Sequence, residues 1–127
     1  MAEAKFVTAL NCMDGRVQEP VVKWMKEYGN ADYVDMITEP GLDKLLCEGS
    51  ETIKNLIKDK ITISIEKHDS NLVAIAGHYD CAGNPCDKDE HFRHVQECVK
   101  VVKEWFPMVE VIGIWVNENW EVEKLEF

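Results

Sequence analysis

The sequence predicts an α/β fold: three layers, α/β/α, around a mostly parallel central sheet of four to five strands with one antiparallel edge strand. Three observations carry this expectation. Strand-like apolar runs alternate with helical patterns along the chain, the order in which parallel βαβ units are built. The run NLVAIAGH (71–78) is apolar almost throughout, as strands covered on both faces are. The last two strand-like stretches, VEVIGIWV (109–116) and WEVEKLEF (120–127), are separated only by Asn117, Glu118 and Asn119. That spacing suits a hairpin, which makes the final strand antiparallel. A chain of 127 residues is expected to form one domain, 1–127, with a core of its own.

Each element has its own local signal. KFVTALN (5–11) is a short apolar run suited to a buried strand. EPVVKWMKEYG (19–29) reads as a helix, with Pro20 in its first turn and Gly29 expected as its C-terminal cap. ADYVDMI (31–37) is the second strand, followed by a turn over TEPGLDKL (38–45) that Pro40-Gly41 punctuates. Between Ser50 and His68, Ile53, Ile57, Ile61 and Ile65 recur every fourth residue with Leu56 beside them. This is a helical face, whole or divided at Ile61-Thr62-Ile63, and His68 at its end sits where positive charge is favoured. In DEHFRHVQECVKVVKEWF (89–106), Phe92, Val95, Val99, Val102 and Phe106 form one apolar stripe. On that reading His91 and His94, three residues apart, lie on the helix exterior. Trp24, Trp105, Trp115 and Trp120 are expected to supply core or interface bulk.

Composition excludes several classes of function. A formal charge of −10 repels nucleic acid and anionic membrane surfaces alike. No apolar stretch approaches the roughly 20 residues that cross a bilayer. The N-terminal MAEAKFVTAL lacks the basic start and apolar block of a secretory signal, so a cytoplasmic location is expected. Five cysteines are an odd number, which favours reduced thiols over a disulfide scaffold. Among them Cys47 and Cys98 read as core or half-buried residues, and Cys86 as an exposed thiol or an occasional disulfide partner. Neither Cys-x-x-Cys nor G-x-G-x-x-G occurs, which removes thioredoxin-like and dinucleotide-binding readings. Neither Cys12 nor Cys81 is followed by five residues and an arginine, the spacing of a phosphatase loop.

Two stretches carry chemistry. ALNCMDGRV (9–17) ends a predicted strand in Cys12, Asp14 and Arg16, and GHYDCAGNPC (77–86) ends another in His78 and Cys81. Ligands of parallel sheets bind beyond the carboxyl ends of the strands, so these residues meet if the first and third strands are neighbours. Thiolate and imidazole are the ligands that tetrahedral zinc prefers. Cys12, His78 and Cys81 make three of them and leave a fourth position open, the pattern of catalytic rather than structural zinc.

With Cys12-Met13-Asp14-Gly15-Arg16 after the first core strand and His78-Tyr79-Asp80-Cys81 after the third, the sequence resembles the β-class carbonic anhydrases. The resemblance extends over nearly the whole chain. It implies Zn2+ held by Cys12, His78 and Cys81, with the fourth place taken by water or by Asp14. It further implies reversible hydration of CO2 to bicarbonate by a metal-bound hydroxide, Arg16 keeping Asp14 off the metal and Asp14 orienting the hydroxide. A homodimer or higher homo-oligomer is implied as well. Two alternatives stay open: the same chemistry on COS or CS2, and a non-catalytic zinc-binding or thiol-sensing module. The Thr38–Leu42 turn, with Thr38-Glu39-Pro40-Gly41, discriminates the catalytic readings from the non-catalytic one. It stands where the family carries an Arg-Asn-Ala-Gly type of sequence, and a Glu39 carboxylate aimed into the pocket would oppose bicarbonate. A second departure is Ala82, which precedes Gly83 where the family usually has glycine directly after the cysteine.

Overall fold

The computed structural model describes residues 3–127; Met1 and Ala2, the start of the N-terminal stretch read above, lie outside it. Five strands form one sheet: β1 (Phe6–Cys12), β2 (Tyr33–Glu39), β3 (Leu72–His78), β4 (Glu110–Val116) and β5 (Val122–Leu125). Their spatial order is β2-β1-β3-β4-β5. The first four are parallel, and β5 runs antiparallel to β4. The expected three-layer architecture is therefore present, with its single antiparallel edge.

Alternation along the strands divides the core in two. Val7, Ala9, Leu72, Ala74, Ala76 and Ile114 face helix α1 (Gln18–Gly29), through Val21 and Met25. On the other face, Leu10, Val73 and Ile75 meet three helices, α2 (Leu42–Glu48), α3 (Glu51–His68) and α4 (Lys88–Trp105). All seven residues of β3 are buried, as its unbroken apolar run requires.

Several local expectations change. The cap of α1 is Asn30, left-handed at φ 48° and ψ 50°, a conformation asparagine tolerates well. Gly29 is instead the last helical residue, held against Val7, whose Cγ1 lies 2.9 Å from where a Cβ would stand. The expected turn over 38–45 contains the start of α2, entered through left-handed Gly41. Leu42 and Leu46 anchor that helix in the core. Helix α3 is unbroken, started by the Ser50 hydroxyl accepting from the Ile53 N–H. Its buried face is narrow: Ile57 and Ile61 are enclosed, whereas Leu56 and Ile63 stand more than half exposed. His68 at its end donates from Nδ1 to the Asp35 carboxylate at 2.7 Å and stacks on Phe6. Helix α4 begins on the Asp87 side chain, which accepts from the Glu90 N–H. His91 and His94 lie inside, not on the exterior, at 2% and 3% exposure. They turn inward because Asp43 and Asn84, themselves buried, supply polar partners there.

Candidate metal centre

The centre forms at the carboxyl ends of β1 and β3, adjacent strands paired from Thr8↔Val73 to Leu10↔Ile75. Continued, that register sets Cys12 beside the end of β3. Beyond His78 the chain reverses at Asp80, left-handed at φ 58°, and returns Cys81 to the strand ends. The structure thus brings together Cys12, His78 and Cys81, with a ligand atom of each within 4.8 Å of the others. All three are at most 5% exposed.

Three features fit a tetrahedral metal. The Cys12 and Cys81 sulfurs stand 3.9 Å apart. Two Zn–S bonds of about 2.3 Å at a tetrahedral angle put the sulfurs about 3.8 Å apart, whereas a disulfide needs about 2.05 Å. His78 Nδ1 donates to the Tyr79 carbonyl at 2.7 Å, which fixes the tautomer that leaves a lone pair on Nε2. That Nε2 is buried without a hydrogen-bond partner among the described residues. A buried lone pair facing two sulfurs lacks only an electron-pair acceptor.

The two sulfurs and the ring also compete for protons. The Cys12 thiol is lowered to about 4, first because the Cys81 S–H donates to it; burial opposes this, and His78 and the N–H groups of Gly41 and Asp14 assist. Cys81 moves well upward, because it keeps the shared proton beside a thiolate and because it is buried. Burial works against a charged His78, but Cys12 and the Tyr79 carbonyl outweigh it and raise its value. One proton between two sulfurs is the charge that a divalent cation would displace.

Asp14 and Arg16 stand beside the centre and engage each other. Arg16 Nη2 and Nε reach the Asp14 carboxylate at 2.7 and 3.1 Å. The guanidinium also donates to the Asp80 carboxylate and carbonyl, at 3.2 and 3.1 Å. It lies 4.5 Å over the Trp120 ring. The Arg16 hydrogen bonds hold the Asp14 carboxyl down at about 2. Asp14 therefore rests on Arg16 and is not gathered with the three ligand atoms. Glu39 also has a partner, with its carboxylate 3.5 Å from Lys60 Nζ on α3.

Sequence reasoning missed the residues behind the sulfurs. Gly41 N–H donates to Cys12 Sγ at 3.4 Å, and the Asn84 N–H donates to Cys81. Asp43, 2% exposed, had no signal at all, because it fell in an expected turn. The His91/His94 spacing was the one available clue to the buried network. A second cluster, Cys47, Glu48 and His94, also draws together within 4.8 Å. There Asn84 Nδ2 donates to His94 Nδ1 at 3.0 Å, so Nε2 carries the proton toward Glu48 and is a donor, not a ligand. All five cysteines are free; Cys86 is half-buried, and its thiol donates to the Asn84 side chain. A cavity of about 370 Å3, lined by His78, Tyr79, Cys86, Lys88, His91 and Trp115 among others, opens beside the centre.

Comparison with known proteins agrees. A family model described as "Putative carbonic anhydrase" matches residues 2–126. No curated protein sequence matches the chain. Among solved structures, a tetrameric β-carbonic anhydrase of the filamentous ascomycete Sordaria macrospora superimposes with a TM-score of 0.66 at 12% identity. That match covers 99% of this chain and 83% of the other. A β-carbonic anhydrase of the filamentous fungus Aspergillus fumigatus gives 0.63 at 12% identity, covering 98% and 91%. Carbonic anhydrase from Streptococcus mutans gives 0.60 at 16%, covering 99% and 87%. At these identities the structural likeness speaks for the fold. Matched by the family model over nearly its whole length and folded as these enzymes are, the chain belongs to the carbonic anhydrase family.

Proposed function

We propose that this protein is a zinc-dependent carbonate dehydratase that hydrates CO2 reversibly to bicarbonate. One observation carries the reading: two buried sulfurs 3.9 Å apart facing an unpartnered, buried His78 Nε2. Cys12, His78 and Cys81 would hold the metal, and Tyr79 holds the His78 ring through its carbonyl. When bound there, zinc supplies a Lewis acid that makes coordinated water acidic enough to give a nucleophile near neutral pH. Arg16 anchors Asp14 at one side of the centre, where a carboxylate oxygen can accept a proton-bearing group and orient it. The Glu39–Lys60 pair favours the catalytic reading over the non-catalytic module, because that carboxylate is already engaged. We further propose a homo-oligomer, in keeping with the tetramers named for the Sordaria macrospora relative. Exposed Met13 and Tyr79 beside the centre give such an assembly apolar surface to cover. The five free thiols fit the cytoplasmic location we propose.

Charge counting sets the pH dependence. Two thiolates cancel the formal charge of Zn2+, so the metal is a weaker Lewis acid than one held by three neutral imidazoles. The nucleophile then forms above the pKa of about 7 typical of such waters. Stopped-flow CO2 hydration by the zinc-loaded protein is expected to climb steadily from about pH 6.5 to about 9. A flat profile over that range would contradict the assignment.

The Asp14–Arg16 pair gives a second expectation. Arg16→Ala removes the guanidinium that holds the Asp14 carboxylate through Nε and Nη2 and leaves only the backbone N–H of residue 16 on Asp14 Oδ1. Hydration is expected to fall by roughly 100-fold, the order that misplacing a catalytic group costs, while one zinc stays bound. Loss of the zinc together with the rate would show that Arg16 serves only to build the metal site.

A further inference from the structure

Behind the two sulfurs lies a polar network that neither the fold nor the ligand set requires. Asp43, Asn84, His91 and His94 are each at most 3% exposed. His91 Nδ1 meets Asp43 Oδ2 at 2.6 Å, and Asn84 Nδ2 donates to Asp43 Oδ1 at 3.1 Å and to His94 Nδ1 at 3.0 Å. The Lys44 N–H also donates to Asp43 Oδ1, and the Cys98 thiol donates to the Asp43 carbonyl. Burying this many polar groups is costly unless they are paired, and here Asp43, Asn84 and the Nδ1 atoms of both histidines are paired across three separate segments, while His94 Nε2 has no hydrogen-bond partner among the described residues. Those segments are the start of α2, the loop that carries Cys81, and α4.

The same segments supply the N–H groups that point at the sulfurs. Gly41, two residues before Asp43, donates to Cys12. Asn84 donates to Cys81 through its backbone and to Asp43 through its side chain. The two loops also touch backbone to backbone: a Cβ at Gly83 would stand 2.5 Å from Gly41 N. An N–H···S bond draws electron density from a thiolate, and so leaves a metal it binds more electron-poor.

We infer that the Asp43–Asn84–His91 network is a positioning device that aims the Gly41 and Asn84 N–H groups at the two ligand sulfurs, and thereby sets the Lewis acidity of the bound metal. The inference rests on Cys12 and Cys81 being metal ligands. His91 and Asp43 act through the loops they join. His91 donates to Asp43 from Nδ1; asparagine places a donor in a similar position, and leucine does not.

The test uses the full chain loaded with Co2+ or 113Cd2+. In the wild type, amide protons of Gly41 and Asn84 are expected to show scalar coupling to 113Cd through the sulfurs. His91→Leu and Asp43→Asn are expected to shift the sulfur-to-cobalt charge-transfer band to longer wavelength, because the thiolates become more electron-rich. They should also release zinc to a chelator about 10- to 100-fold faster, the usual cost of losing such support. His91→Asn should restore both values toward wild type. Folded variants with unchanged band and release rate, or wild-type Gly41 and Asn84 amides uncoupled from bound cadmium, would overturn the inference. A wild-type protein that binds none of these metals would instead overturn the ligand assignment beneath it. The coupling measurement needs no variant to fold.

Discussion

Cys81→Ser is expected to abolish tight zinc binding and, with it, CO2 hydration above the buffer rate. The thiolate at this position does two things. It supplies one of two soft donors 3.9 Å apart, and as the hydrogen-bond donor to Cys12 it is the largest cause of that thiol's lowered pKa. A serine hydroxyl does not ionise in the working range and is a poor zinc ligand. Two ligands then remain, Cys12 and His78, too few to hold zinc against a chelator. The fold should survive, since the replacement is nearly isosteric and the apolar clusters on either side of the sheet do not depend on a metal. Competition with a chromogenic chelator reads the outcome. Zinc held by the variant within tenfold of the wild-type affinity would mean that Cys81 is no ligand.

Gly83→Ala is expected to lower both the stability of the fold and the zinc affinity of the centre. A Cβ there would lie 2.5 Å from both Gly41 N and Pro40 C. These are backbone atoms that cannot move without displacing β2 or the entry to α2. Overpacking of this kind costs typically 1–3 kcal/mol, and an unyielding backbone puts it at the upper end, about 3 kcal/mol. For a chain of this size that is a drop in melting temperature of roughly 10 °C. Because the contact joins the loops behind both sulfurs, zinc affinity should fall along with stability. Gly15→Ala is the control, since nothing lies within 4 Å of its Cβ position; its melting temperature should stay within about 2 °C of wild type. Equal melting curves for the two variants would contradict the close approach of the loops.

What the sequence reveals and what it hides divide along physical lines. The apolar run that became β3 and the alternation of strands and helices report burial directly, and so predicted the layers and the parallel order. The paired motifs report chemistry through spacing, and Cys12, His78 and Cys81 did converge because β1 and β3 are neighbours. The buried positions of His91 and His94 were not legible. A helical pattern assigns polar residues to the outside, and their burial depends on Asp43 and Asn84, which lie 48 and 7 residues from His91 in sequence. Helix α2 was hidden for a similar reason. Pro40-Gly41 does mark a turn, but Leu42 and Leu46 are held in helical form by the core they fill rather than by a local signal. The Asn30 cap was displaced by one residue from the expected glycine because Gly29 serves close packing against Val7 and Leu72. Glycine has two uses, and the sequence does not say which applies.

The most direct test is exchange of 18O between CO2 and water, followed by mass spectrometry, with protein shown to carry one zinc per chain and Cys81→Ser as the reference. Isotope loss well above the uncatalysed rate for the wild type, and at that rate for the variant, is the predicted result. Exchange at the uncatalysed rate by wild-type protein with its zinc in place would contradict CO2 hydration as the function of this centre.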